Sequence, residues 1–359
     1  MSKALSKAMA ALLLVSLLSA AGSFCLPGQQ RVSIVFAGDA MQHSSQLDAA
    51  RRGSLYDYSD CFSELEHFIK GADYAVVNLE TTLAARNFTG YPCFRSPDSF
   101  ALALKNAGFD MMLTANNHCL DNGDFGLRRT IKVLDTLGVP HLGTYSDSLE
   151  RSARLPLICN IGGIRVAFLN YTYGTNGFEV RDGAVVDYID TLRMRGDIAL
   201  AREKGAEILC VAVHWGEEYK LLPNSAQESV AEFFAGEGVD LIIGGHPHVI
   251  QPMKVTYSPA FRKNILTVYS LGNFISGMKT TDTRGGVMVR VWLERDVSGY
   301  VHFSGAEYLP VFVVKGVPGV DNFKLRVADS CDTQNARDFL RNAYTIFNKH
   351  NVGVPRLQE

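Results

Sequence analysis

Five short apolar runs end in residues that can hold a metal or move a proton. Val32 to Ala37 leads to Gly38-Asp39, and Tyr74-Ala75-Val76-Val77 leads to Asn78-Leu79-Glu80. Met111-Met112-Leu113 is followed by Asn116-Asn117-His118, with Asp121 three residues on. Ile208 to Val213 runs into His214-Trp215-Gly216, and Leu241-Ile242-Ile243 into Gly244-Gly245-His246-Pro247-His248. Taken singly, each has an ordinary use: Asp39 or Glu80 as a helix cap, Asn117 in a turn, His214 as a hydrogen-bonded core residue. Together they offer two acids, an asparagine and three or four histidines. Mixed oxygen and nitrogen donors suit Mn, Fe or Zn better than Ca or Mg, which prefer oxygen alone.

These residues must be positioned by a sheet. Four times a helical pattern ends in Gly-x-acid before an apolar run: Gly71-Ala72-Asp73, Gly108-Phe109-Asp110, Gly205-Ala206-Glu207 and Gly238-Val239-Asp240. Glycine reaches the left-handed conformation that closes helices, so each reads as a helix stop leading into a strand. Continuous apolar strands suit sheets covered on both faces, and ligands collect at the carboxyl edge of such α/β sheets. Helices are expected over residues 60–70, 127–137, 224–234 (opened by an Asn224-to-Gln227 capping box) and 332–349. Further strands are expected over 265–270 and 286–294. Pro318 and Gly319 put the close of the main domain, residues 30–316, before a C-terminal extension of 317–359 with an amphipathic helix.

Composition narrows the function. The chain has 359 residues, 47% hydrophobic and 20% charged, enough for a sizeable core and unlike a disordered chain. Its 35 basic and 37 acidic residues give a net charge of -2; without Lys3 and Lys7, 33 against 37 give -4. No nucleic-acid partner is implied by that balance. Lys3 and Lys7, the apolar run Met9 to Leu18 and the small residues after it read as a signal peptide over 1–23. Export to the periplasm, envelope or exterior follows, with membrane attachment only through an uncleaved or Cys25-lipidated N-terminus. The seven cysteines follow no C-x-x-C spacing; Cys159 and Cys210 suit buried thiols, and pairing among Cys61, Cys93 and Cys331 stays open. P-loop, G-x-G-x-x-G, G-x-S-x-G and H-E-x-x-H motifs are absent.

In order, GDAM (38–41), NLE (78–80), ANNHCLD (115–121), YTYGTNG (171–177), HWGEEY (214–219), GGHPHVIQP (244–252) and YSLGNFIS (269–276) resemble the CapA family of poly-γ-glutamate capsule synthesis, related to calcineurin-like metallophosphoesterases. The likeness covers about residues 32 to 293. It implies a four-layer α/β/β/α sandwich of metallophosphoesterase type, with one or two divalent transition metals (Mn, Fe or Zn) at the strand ends. By that likeness Asp39, Glu80, Asn117, His214, His246 and His248 are the metal ligands, Glu80 bridging. His118 matches the catalytic histidine, and Asp121 is placed to orient its ring. Metallophosphoesterases carry Asp-x-His in the first motif; here Asp39-Ala40-Met41 lacks that histidine, which leaves one metal or two open. His43, two residues on, is the histidine nearest to hand as a substitute.

The chemistry implied is hydrolysis. Two cations bridged by Glu80 would acidify a water toward a pKa of about 7, while His118 stabilises charge or protonates the leaving group. Arg95 is a candidate clamp for a phosphate or carboxylate; Tyr219, Tyr171 and Asn273 are candidates to line the pocket. The expected function is an exported metal-dependent hydrolase of the cell envelope, acting on a phosphoester or polymer-linked substrate (an anionic small molecule or polymer), in capsule or poly-γ-glutamate synthesis. Its rival is a non-hydrolytic capsule component that binds, transfers or anchors the polymer.

Overall fold

A computed structural model describes residues 30–358, so the expected signal peptide and Cys25 lie outside the described residues. The first apolar runs become β1 (Gln30–Ala40), β2 (Tyr74–Leu79) and β3 (Met111–Leu113), with β4 (His141–Leu142) beyond, all paired in parallel. A second sheet holds β5 (Leu157–Ile161), β6 (Ile164–Thr172), β7 (Ile208–His214), β8 (Leu241–Gly245), β9 (Met253–Ser258) and β10 (Lys263–Val268), in the order β5-β6-β7-β8-β10-β9. The chain then returns to the first sheet through β11 (Asn273–Ile275), β12 (Gly285–Arg295), β13 (Val301–Val314) and β14 (Lys324–Val327). The order there is β14-β13-β12-β1-β2-β3-β4, with β11 paired to the end of β1.

The Gly-x-acid segments register the parallel pairs. Asp73 Oδ2 accepts Ser33 N of β1 at 2.7 Å, and Asp110 Oδ2 accepts Ala75 N of β2 at 2.8 Å. Glu207 Oε2 accepts Arg165 N of β6 at 2.9 Å, and Asp240 Oδ2 accepts Leu209 N of β7 at 2.9 Å. In every case the acid's own N–H binds the carbonyl of that same residue. Each acid therefore grips the start of the strand beside its own, where a slip of one residue would turn the apolar side chains outward. Gly108, Gly205 and Gly238 take the expected left-handed conformation, but Gly71 has φ -78° and ends its helix without it. Asp240 is buried and also holds Lys263 Nζ at 2.6 Å. Asp240→Ala should lower stability by about 2 kcal/mol, because it leaves the Leu209 amide without its acceptor and Lys263 Nζ with only Gly238 O. Urea unfolding would measure this; a loss under about 1 kcal/mol would discount the grip.

Alternation of side chains gives the layers. Val32, Ile34 and Phe36 of β1 meet Val166, Phe168, Ile208 and Cys210 of the second sheet in one core. Their neighbours Val35, Ala37, Ala75 and Val77 face Phe62, Phe100, Leu104 and Leu134. Leu104 lies on α3 (Asp98–Ala107) and Leu134 on α4 (Gly123–Leu137), after two shorter helices, α1 (Ser44–Ala50) and α2 (Glu66–Lys70). The far side of the second sheet is covered by Met194, Ile198 and Phe234. They belong to α6 (Thr191–Glu203) and α7 (Ser225–Gly236), which follow α5 (Ser148–Arg154). The result is the expected four-layer α/β/β/α sandwich.

Two expectations need correction. The helix expected over 60–70 is confined to α2, because Cys61 O receives Leu325 N and Asp57 O receives Asn322 Nδ2. Residues beyond 316 also enter the sheet: β14 pairs with β13, and α8 (Gln334–His350) packs Phe339 on Phe312. The six described cysteines are free. Among the described residues, no helix is long and apolar enough to cross a membrane.

Candidate metal centre

Strand register gathers the chemistry at one edge. Asp39 pairs with Asn78 across β1/β2 and with Asn273 across β1/β11, while His214 pairs with Thr172 and Gly245 in the other sheet. Glu80, Asn117, His118, His246 and His248 follow on the loops at those strand ends. All of them are buried, as is Asp121, with Asp39 and Glu80 fully enclosed.

Two overlapping triads result. Glu80, His246 and His248 each offer a ligand atom, mutually within 4.8 Å, and so do Asp39, Glu80 and His214. Glu80 belongs to both. Neither of its buried oxygens has a hydrogen-bond partner, nor does the buried Nδ1 of His246. A buried carboxylate without donors is costly, and a cation removes that cost. The oxygen and nitrogen donors here therefore fit one or two divalent transition ions. Asn117 Oδ1 lies 2.8 Å from His214 Nε2, close enough to share an ion.

A surrounding layer fixes these side chains. Asn78 Nδ2 donates to Asp39 Oδ1 at 2.8 Å, and Asn116 Nδ2 ties Asn78 Oδ1 (3.2 Å) to Leu79 O (2.9 Å). His248 Nδ1 lies 3.1 Å from Asn273 Oδ1 and 3.2 Å from Asp39 Oδ2, so Nδ1 keeps a proton, and an ion bound at Nε2 would displace the proton there. His246 and His248 hold φ of 97° and 57°, conformations that ordinary residues adopt only where the surroundings impose them.

Charge follows the same plan. Burial would raise the Asp39 carboxyl, but the His248 hydrogen bond and the His214 and His248 charges hold it at about 2. Burial, then the charges of His214 and His248, push His246 down to about 2, leaving a neutral ring with a lone pair to give. Burial lowers His43 to about 4. His248 moves the other way, to about 9, where burial is overcome by the charge of Glu80 and the bond to Asp39. An unfolded histidine titrates near 6.5. Below that pH the unfolded chain takes protons that His43 and His246 refuse when folded, so stability falls as pH drops. The contribution of His248 is complete below 6.5 and is lost as pH rises toward about 9. Melting of EDTA-treated protein from pH 4.5 to 9.5 should therefore peak near neutrality; a monotonic profile would contradict this balance.

His118 and Asp121 form the expected pair, with Nδ1 and Oδ2 2.7 Å apart. Asp121 Oδ2 also accepts Phe94 N at 2.5 Å, which locks the carboxylate to the loop beside it. Arg95 follows Phe94; its guanidinium meets no carboxylate among the described residues, and its Nε is buried without a partner. Tyr219 is 55% exposed, with its ring 6.4 Å from that of His248. Asn273 does not line a pocket: it is fully buried, with Oδ1 on His248 and Nδ2 on Thr283 O. Tyr171 is likewise enclosed, bonded to Asp197. Asn78, Asn116 and Asn176 were not foreseen as site residues. Asn176 receives Asn117 Nδ2 at 3.2 Å; the asparagines within NLE, ANNH and GTNG were the available signal.

The protein is thus an α/β/β/α sandwich that carries a cluster of potential metal ligands at its shared carboxyl edge. The family model described as bacterial capsule synthesis protein PGA_cap matches residues 33–278, and the chain belongs to that family. It is 26% identical over 303 residues to a Bacillus anthracis capsule biosynthesis protein CapA, covering 80% of this chain and 69% of that one. To a Bacillus subtilis PGA biosynthesis protein CapA it is 26% identical over 248 residues, covering 66% and 62%. It thus spans about two thirds of the length of these relatives. A Haemophilus influenzae NAD nucleotidase structure aligns at 12% identity with a TM-score of 0.49, over 92% of this chain and 65% of that one.

Proposed function

We propose that the protein is an exported, metal-dependent hydrolase acting on an anionic phosphoester or polymer-linked substrate of the cell envelope, in capsule or poly-γ-glutamate synthesis. The observation that carries this reading is Glu80, shared by two ligand triads and unsatisfied in both oxygens, beside the His118–Asp121 pair. Asp39, Glu80, Asn117, His214, His246 and His248 would hold one or two ions of Mn, Fe or Zn. When bound, such ions supply Lewis-acid charge to an anionic substrate and activate water. Asp121 holds the ring of His118 through Nδ1; in its protonated form the ring would give the Nε2 proton to the leaving oxygen as water adds and the ester bond breaks, and the proton released by the water would restore it. Arg95, whose Nε is buried without a hydrogen-bond partner, would take up a substrate anion, and Tyr219 would border it. Export rests on the charged and apolar start of the sequence.

One observation favours the non-hydrolytic rival: Met41, buried, stands where metallophosphoesterases carry a histidine. Elemental mass spectrometry on protein made from residue 26 tests the reading. Near two equivalents of Mn, Fe or Zn, with turnover in a phosphodiester screen, would support it. None after reconstitution would leave the polymer-binding role standing.

A further inference from the structure

His43 stands beside the centre without joining either triad. Its Nδ1 receives the backbone N–H of Gly277 at 3.1 Å. A nitrogen that accepts such a bond carries no proton, so the ring is the neutral tautomer with its hydrogen on Nε2. The ring is also locked in place. It meets Phe94 edge to face at 5.0 Å between centroids, and Phe94 meets His118 in the same way at 4.6 Å. A Cβ on Gly277 would come 2.5 Å from His43 Cβ, and one on Gly90 would come 2.3 Å from Ser44 N. Glycine at both positions lets the chain close on this residue. With Nδ1 taken by the backbone, the ring is not a stand-in for the histidine missing at Met41. His43 is part-buried, and its ring, which also interacts with the Gln46 side chain, keeps Nε2–H for a further acceptor.

We propose that His43 binds substrate, its Nε2–H donating to an anionic oxygen (phosphoryl or carboxylate) held near His118. A rigid, neutral donor on an aromatic shelf fits such an oxygen without adding a competing charge. The inference deepens the hydrolase reading and rests on it.

The test uses the zinc-loaded chain with 15N-labelled histidine and inorganic phosphate as probe. Expected is an Nε2–H signal for His43 at pH 7 that moves on adding phosphate. His43→Phe should keep the ring contacts and the metal content yet weaken phosphate roughly tenfold or more, as loss of one bond to a charged acceptor does. His43→Gln, which restores an N–H, should recover most of that loss. An Nδ1–H or doubly protonated ring, phosphate binding that leaves the His43 signal still, or metal lost with His43→Phe would each overturn the proposal. Failure of the hydrolase reading looks different: phosphate binds and moves His43, yet no phosphodiester is cleaved.

Discussion

A Glu80→Gln chain should retain no stoichiometric transition metal. Glu80 is the carboxylate common to both triads, and neither of its buried oxygens has a hydrogen-bond partner. Glutamine keeps the size but removes the charge and one acceptor, so both ion positions weaken together. Changing residues that merely orient ligands costs 10- to 100-fold in affinity; losing the shared ligand should cost more than about 100-fold. Zinc at 100 times its Kd should stabilise the unaltered protein by about 2.7 kcal/mol, and Glu80→Gln by almost none. Elemental analysis and melting with and without zinc both read this. Full metal retention would remove Glu80 from the centre. Asp39→Asn, which touches one triad, should do less damage.

His118→Ala should slow hydrolysis by about 10²- to 10⁴-fold, the usual yield of a positioned acid or base, while leaving metal content unchanged. The two readouts separate chemistry from assembly, because His118 belongs to neither triad. Asp121→Asn should give a smaller loss, about 10- to 100-fold. Its Oδ2 serves Phe94 N and His118 Nδ1 at once, and an amide cannot orient the ring in the same way. Turnover that survives His118→Ala intact would sink the proposed mechanism. Turnover lost together with the metal would make His118 a ligand instead.

Much of the frame was legible because it is local. The Asn224–Gln227 capping box is present in both halves, with bonds of 2.9 and 3.1 Å, and it depends only on residues three apart. Apolar runs predicted β1, β2, β3, β7 and β8 because burial on both faces selects such runs. By contrast β13, the longest strand, escaped: Ser304, Gly305, Glu307 and Pro310 break its pattern. Its polar half tolerates water on one side, so no continuous apolar run was needed.

The sequence by itself determined the fold class and named the candidate ligands, since residue types and the strand ends that carry them are written in order along the chain. Tertiary structure decided the rest. It placed Glu80 in both triads, turned Asn273 from a pocket wall into the support of His248, and set the tautomer of His43 through an amide 234 residues away. These outcomes depend on distances between two sheets packed face to face. No pattern along one strand encodes how far its end will stand from the end of another.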